Sequence, residues 1–324
     1  MLAKFTYQRA KSIPETLQAA SASSAHILAG GTDLLGCLRD GVFSANRVVS
    51  IGGMQELKGI KPRTGGGFRL GALATQAEIA EHAELRKAYP VLTEAALSAA
   101  SPQLRNQGTL GGNLCQRPRC WYFRGDFHCR RKGGDTCFAE TGENLLHAIY
   151  GGARCYMVHP SDLAPALVAL DAKVVIAGRK GSRTIPISSF FVLPKDNLLK
   201  ENVLQPGELL TEILLDPPLP GARSRYRKVR ERGSFDFALA GAAILLVMAE
   251  GKVQKARVVL SGVAPIPWRS TEAERVLVEK SITAATLSEV TNAAVKDATP
   301  LQDNEYKVTL VRGILEETLV TLAG

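Results

Sequence analysis

The stretch that most constrains this chain runs from Thr109 to Cys155, where five of its six cysteines fall in one loop-like segment. It opens on Thr109-Leu110-Gly111-Gly112-Asn113, a glycine turn whose missing side chains let the backbone approach a bulky anion. Cys115, Cys120, Cys129, Cys137 and Cys155 follow among Gly, Arg and polar residues, without the apolar periodicity of a helix or strand. No CxxC pair occurs, so the zinc-ribbon and zinc-finger spacings are absent. Four thiolates on a segment that cannot build its own core suit an iron–sulfur cluster, whose Fe–S bonds would replace that core. The plain alternative is a surface loop of reduced, unligated cysteines. A disulfide loop fits less well, because the loop holds an odd number of cysteines and MLAKFTYQRAKS has no apolar run of signal-peptide length.

A chain of 324 residues with ordinary apolar and charged fractions has room for two or three domains with real cores. The formal charge of +9 raises the question of nucleic acid, but the basic residues are dispersed except near 117–132 and 223–232, and no nucleic-acid motif accompanies them. The longest apolar run, 237–248, is too short to span a membrane. The expectation is therefore no nucleic acid, no membrane, and a cytoplasmic default.

Along the chain, Lys4 to Gln8, His26 to Leu28 and Arg47 to Ile51 predict strands, with a short helix over 12–23 and a glycine turn at Gly30-Gly31. Strand, glycine turn and helix together offer free N–H groups to a pyrophosphate, although a simple turn before a helix capped by Thr32 or Asp33 explains the same residues. Gly65-Gly66-Gly67 marks a hairpin, Thr75 to Glu78 a capping box, and Tyr89 to Ala100 a helix. Strands follow over 172–177, 183–187 and 208–215, and the prolines at 217–220 break the chain. Beyond them, strands over 225–230, 237–250 and 252–263 precede helices over 270–280, 286–298 and 304–323. The expected units are 1–55, 56–217 with 115–158 as an insertion, and 218–324. Arg223, Arg225, Arg227, Lys228, Arg230 and Arg232 alternate, as a charged edge strand does.

Three segments carry a resemblance: Ala29-Gly30-Gly31-Thr32-Asp33-Leu34-Leu35, Thr109-Leu110-Gly111-Gly112-Asn113-Leu114, and His159-Pro160-Ser161-Asp162-Leu163-Ala164-Pro165-Ala166. In this order they resemble the FAD-binding medium subunit of the molybdenum hydroxylases, the family of xanthine dehydrogenase, aldehyde oxidoreductase and CO dehydrogenase. The insertion is similar to the extra [4Fe-4S] loop of a smaller branch that holds periplasmic aldehyde oxidoreductases and 4-hydroxybenzoyl-CoA reductases. The wording from Arg119 to Arg124 and from Asn144 to Gly152 is closer to the aldehyde oxidoreductase type.

The resemblance implies an α+β chain. It would have a two-domain FAD-binding fold of the CO dehydrogenase flavoprotein and vanillyl-alcohol oxidase type, then a C-terminal α+β domain with a three-stranded antiparallel sheet and helices. It further implies that Ala29, Gly30, Gly31, Thr32, Asp33 and Leu34, with Thr109, Gly111, Gly112 and Asn113, wrap the pyrophosphate and ribityl chain of FAD. Asp162 would accept hydrogen bonds from the cofactor's hydroxyl-bearing portion, Thr75 would assist, and Lys228 would lie near the flavin. Cys120, Cys129, Cys137 and Cys155 would hold the cluster. Cys115 is set aside because a leucine can stand there in the aldehyde branch, and Cys37 is a packed thiol.

The implied partners are a large molybdenum-cofactor subunit and a small subunit with two [2Fe-2S] clusters, in a heterotrimer that can dimerise, and an external acceptor such as a ferredoxin or NAD. A small subunit with an export signal would carry the complex to the periplasm. No residue here resembles a proton-transfer or nucleophilic catalyst, so the implied role is electron relay, with aldehydes or purines and N-heterocycles oxidised elsewhere. Two alternatives stand beside it: the flavin subunit of a 4-hydroxybenzoyl-CoA reductase-like enzyme with inward electron flow, and a zinc-loop module associated with nucleic acid.

Overall fold

The computed structural model describes residues 2–324 and contains three sheets. In the first, the strands Thr6–Arg9, Arg47–Ser50 and Ala25–Leu28 lie parallel, with Arg47–Ser50 in the centre. Parallel neighbours need crossovers, and the helices Ile13–Ala19 and Leu34–Arg39 supply them. The glycine turn sits between Ala25–Leu28 and Leu34–Arg39, so it lies beyond the carboxyl end of a strand. Gly31 adopts φ +75°, which a side chain would strain.

The second sheet is antiparallel, in the order Ile60–Pro62, Phe68–Gly71, Leu209–Leu215, Lys173–Gly178, Gly181–Pro186. Its apolar side joins the helices Pro90–Ser98 and Leu163–Ala169 in a core that includes Leu70, Leu92, Leu110, Leu167 and Ile213, all fully buried. The capping box at Thr75 forms as expected: its hydroxyl accepts from Glu78 N, and the Glu78 carboxylate accepts from Thr75 N at 2.6 Å. The sequence reading missed four short helices, Trp121–Arg124, Ala83–Ala88, Pro102–Gln107 and Leu110–Leu114. The last of these means that the second glycine turn is itself one turn of helix, capped by Thr109.

The C-terminal sheet has four strands rather than three, because the two-residue strand Trp268–Arg269 extends it beyond Lys252–Ser261, Ala240–Ala249 and Ala222–Val229. A pair of residues carries no alternation, so no pattern in the sequence marks that strand. The helices Thr271–Leu277, Ala284–Val295 and Tyr306–Ala323 complete this unit, and Ile244, Val258, Leu315 and Leu319 fill its core. The basic strand is the sheet edge, as expected, but it is not merely solvated. Arg223 donates to the carbonyls of Leu322 and Ala323, and Arg227 pairs with Glu317, on one face. Lys228 on the other face points toward the second unit.

Residues 115–158 contain one turn of α-helix, Trp121–Arg124, and a short 3-10 turn, Arg130–Lys132. The expectation that this segment lacks a core needs correction. Tyr122 stacks on Phe138 at 5.8 Å and meets Phe127 edge-on at 5.0 Å, while Phe123 packs with Cys37, Val42 and Cys129. Aromatic side chains spaced irregularly have made a small core without a periodic pattern. Among the described residues no helix is long and apolar enough to cross a membrane.

Candidate functional site

A cleft of about 590 Å³ opens among residues 26–43, 76–162 and 232–237. Ala29, Gly30, Gly31, Thr32, Asp33 and Leu34 line one side, and Thr109, Gly112, Asn113 and Asp162 line another. The two glycine segments are locked together: Gln107 Nε2 donates to Gly30 O at 3.1 Å, and a Cβ on Gly30 would stand 1.9 Å from Gln107 O. Only glycine permits that approach. Among the described residues, the N–H groups of Gly30, Gly31, Thr32 and Asp33 donate to no protein acceptor. Consecutive free N–H groups beside a cleft are the donors that a pyrophosphate needs.

Arg117 and Arg119 also line the cleft. Burial pulls the pKa of each guanidinium down, and nearby carboxylates oppose that: Glu201 foremost for Arg117, Asp33 for Arg119. From the C-terminal unit, Arg232, Phe235, Asp236 and Phe237 close the mouth, with the Arg119 guanidinium 4.9 Å from the Phe237 ring centroid. Phe235 holds φ +54° and donates its N–H to Ala100 O, so this aromatic tip is tied down. Free amides, two arginines and an aromatic wall fit a ligand with a diphosphate and a flat ring system. The sequence reading missed this wall: a single aromatic carries no motif, and Phe237, expected to open a strand, lies in the loop before Ala240–Ala249.

Several expected residues do something other than touch the cleft directly. Gly111 is a packing glycine: its Cβ would stand 2.9 Å from Ala72 Cβ. Thr75 bridges to Thr109 and holds the second glycine segment in place. Lys228 lies behind the cleft, its Nζ 2.8 Å from Asp162 Oδ2, with both side chains buried. Tyr226 OH donates to Asp162 Oδ1 at 2.7 Å, and burial beside that carboxylate pushes the phenol pKa well above its usual value. Asp162 is thus held at both oxygens from behind while it faces the cleft. It does not cap the helix Leu163–Ala169; Ser161 Oγ does so, accepting from Ala164 N, and also donates to Asn113 Oδ1.

Asp33 likewise has a structural task. Its carboxylate accepts from Arg117 N and Arg124 Nη2, both at 2.7 Å, and lies 3.0 Å from Arg119. It is the clamp that joins the first glycine turn to the insertion.

Cys120, Cys129, Cys137 and Cys155 line a second, narrow cavity of about 20 Å³, together with His147 and Arg131. Cys115 is not among them; it faces the first cleft. Cys37 is fully buried among apolar side chains, as expected of a packed thiol. Burial pushes the thiol of Cys120 up to about 12 and that of Cys155 up to about 11. Arg131, with its side chain 1% exposed, forms an ion pair with Glu201, yet its Nε and Nη1 have no partner among the described residues. Orphaned cationic donors beside four thiols would find acceptors on an anionic group bound there. Among the described residues no three His, Cys, Asp or Glu side chains close on a single ion.

The same chain segment walls both spaces. Cys115, Gln116, Arg117 and Arg119 face the large cleft, and Cys120 faces the narrow cavity one peptide further on.

Comparison with known proteins agrees with this geometry. The family model for the FAD binding domain in molybdopterin dehydrogenase matches residues 3–218, and that for the CO dehydrogenase flavoprotein C-terminal domain matches residues 224–322. The chain is 36% identical to the aldehyde oxidoreductase FAD-binding subunit PaoB of Escherichia coli, over 97% of each chain. It is 26% identical to the carbon monoxide dehydrogenase medium chain of Hydrogenophaga pseudoflava, covering 98% of this chain and 96% of that one. The structure of carbon monoxide dehydrogenase from the same organism superposes with a TM-score of 0.79 at 24% identity, over 99% of this chain and 98% of that chain. The CO dehydrogenase of Oligotropha carboxidovorans gives 0.80 at 24% identity, over 100% and 99%, which establishes the same fold. With two family models covering nearly its full length, the chain belongs to the FAD-binding medium subunits of the molybdenum hydroxylases, an oxidoreductase family.

Proposed function

We propose that this chain is the FAD- and [4Fe-4S]-bearing electron-transfer subunit of a molybdenum-dependent complex that oxidises aldehydes. The observation that carries the cluster is the convergence of Cys120, Cys129, Cys137 and Cys155, spread over 36 positions counted inclusively, on one cavity beside Arg131. The donor set fits an iron–sulfur cluster, and binding would displace the thiol protons and widen the loop by the cluster's volume. Identity to an aldehyde oxidoreductase subunit favours aldehydes over purines or N-heterocycles. The units 1–55, 56–217 and 218–324 are the domains of this reading.

Bound FAD supplies exchange between one-electron and two-electron carriers. The chain's own residues bind, orient and shield it. Gly30 to Asp33 would offer N–H donors to the pyrophosphate, with Thr109, Gly112 and Asn113 facing them. Asp162, fixed by Lys228 and Tyr226, would accept from cofactor hydroxyls, and Phe235 and Phe237 would exclude water at the mouth. The proposed complex adds a large molybdenum-cofactor subunit and a small [2Fe-2S] subunit, with a ferredoxin or NAD as external acceptor. The alternative of a zinc-loop nucleic-acid module is not carried further, because both matching families are flavoprotein domains.

The test is to purify the chain with its co-expressed partners under anaerobic conditions and add an aldehyde. Loss of the flavin absorbance, with molybdenum and iron in the same peak, supports the reading. A flavin that stays oxidised with aldehydes but responds to a purine moves the substrate class; a complex without molybdenum overturns the assignment.

A further inference from the structure

We propose that His147 sets the reduction potential of the centre held by the four cysteines, by donating its Nε2–H to Cys120 Sγ. The inference rests on the cluster reading above. His147 Nε2 lies 3.2 Å from Cys120 Sγ, and the ring is buried. The edge of its ring meets Trp121 at 4.9 Å between centroids, and Tyr122 lies 6.0 Å away. A phenylalanine would fill such a slot without burying a polar atom, whereas His147 Nδ1 has no hydrogen-bond partner among the described residues. The nitrogen on sulfur is the one that is used.

The backbone around this ring is clamped by the C-terminal unit. Asn304 Nδ2 donates to the carbonyls of His147 at 3.1 Å and Ala148 at 3.4 Å, and Lys307 Nζ donates to Leu146 O at 3.1 Å. Asn144 and Asp303 exchange two further hydrogen bonds. Asn144, Asn304 and Lys307 are completely buried. A domain that holds neither cleft-lining glycine segment nor any of the four cysteines thus fixes the one imidazole at the cavity.

A cysteinate bonded to iron carries no proton, so the contact places the proton on Nε2. Hydrogen bonds to ligand sulfur stabilise the reduced, more negative cluster more than the oxidised one, which raises the potential. His147 is therefore a positioning and tuning residue that acts through Cys120.

The experiment is an EPR-monitored potentiometric titration of the anaerobically purified protein, with iron and flavin counted on each sample, for wild type, His147→Phe and His147→Gln. Phe keeps the aromatic packing and removes the donor; Gln can place an amide nitrogen near the Nε2 position. The expected result is unchanged iron in both variants, a lower cluster potential in His147→Phe, and partial recovery in His147→Gln. Equal potentials in all three at equal iron overturn the inference while leaving the cluster reading intact. Iron lost from His147→Phe but kept by Cys120→Ser would make the histidine a ligand and also overturn it. A wild-type protein without iron fails the cluster reading, and this inference with it.

Discussion

The flavin cleft and the cysteine cavity lie on either side of one short segment, yet they are built by opposite means. The cleft is mostly backbone: free N–H groups of Gly30 to Asp33, the Gly30–Gln107 approach, and a helix turn capped by Thr109. Backbone groups are placed by secondary structure, so the site is formed before any ligand arrives. The cavity is mostly side chains from an irregular segment, and it is held in place from outside. Asp33 clamps it from the turn before Leu34–Arg39, Glu201 from the segment before Leu209–Leu215, and Asn304 with Lys307 from the start of Tyr306–Ala323. A pre-formed backbone site loses its ligand through a local change, whereas a side-chain site depends on anchors remote in sequence.

The comparison breaks most readily at Glu201. Replacing it with Ala leaves Arg131 and the partly buried Arg117 without their shared carboxylate. Removing one partner of a buried pair costs about 3–5 kcal/mol. Thermal unfolding followed by circular dichroism should show a large drop in Tm, with iron lost at lower temperature than flavin; simultaneous loss would mean that the two sites are not separately anchored.

Next in size is Gly30→Val. The new Cβ collides with Gln107 O, and overpacking of this kind costs about 1–3 kcal/mol. The Kd for FAD, measured by titrating FAD into deflavinated protein, should rise roughly tenfold, since about 1.4 kcal/mol is one decade in affinity. Iron per chain should stay at the wild-type value, and a matching fall in iron would mean that the two sites are not independent.

The third test sharpens the role of the C-terminal anchor. Burial of Lys307 lowers its pKa from 10.5 to about 7, with two carbonyls and no carboxylate as partners. Below that value the lysine is charged in both the folded and the unfolded chain, and it adds no pH dependence. Between about 7 and 10.5 the unfolded chain holds more protons, so this group makes stability rise with pH, by at most about 1.4 kcal/mol per unit. Urea unfolding of Lys307→Met across that range should lack the rise; parallel wild-type and variant curves would show that the amine is not titrating there. The smallest effect is expected for Thr75→Ala, which removes the capping box for about 1 kcal/mol and should change Tm modestly with flavin and iron intact.

These differences also explain what the sequence could disclose. The glycine turns, the capping box and the long apolar strands were legible because each is a local rule: close approach needs glycine, a cap needs Thr and Glu at a fixed spacing, and a buried strand needs an apolar run. The four cysteines could be grouped by chemistry, and they do share a cavity. The anchors were illegible. Nothing local says that Asp33 answers three residues of the insertion, that Lys228 stands behind Asp162 rather than in the cleft, or that Asn304 holds the carbonyl of His147. Phe235 escaped notice for the same reason, and Phe237 was read as strand, since the meaning of both lies in what they cover.

The proposed function gives one chain two cofactor sites of different construction. The most direct measurement is the absorption spectrum of anaerobically purified wild type and Cys129→Ser, with flavin, iron and zinc quantified on the same samples. Flavin bands over a broad iron–sulfur shoulder with roughly four irons per chain are expected in the wild type, and flavin largely retained with the iron gone in the variant. Iron retained with the flavin lost, or zinc in place of both, would contradict it.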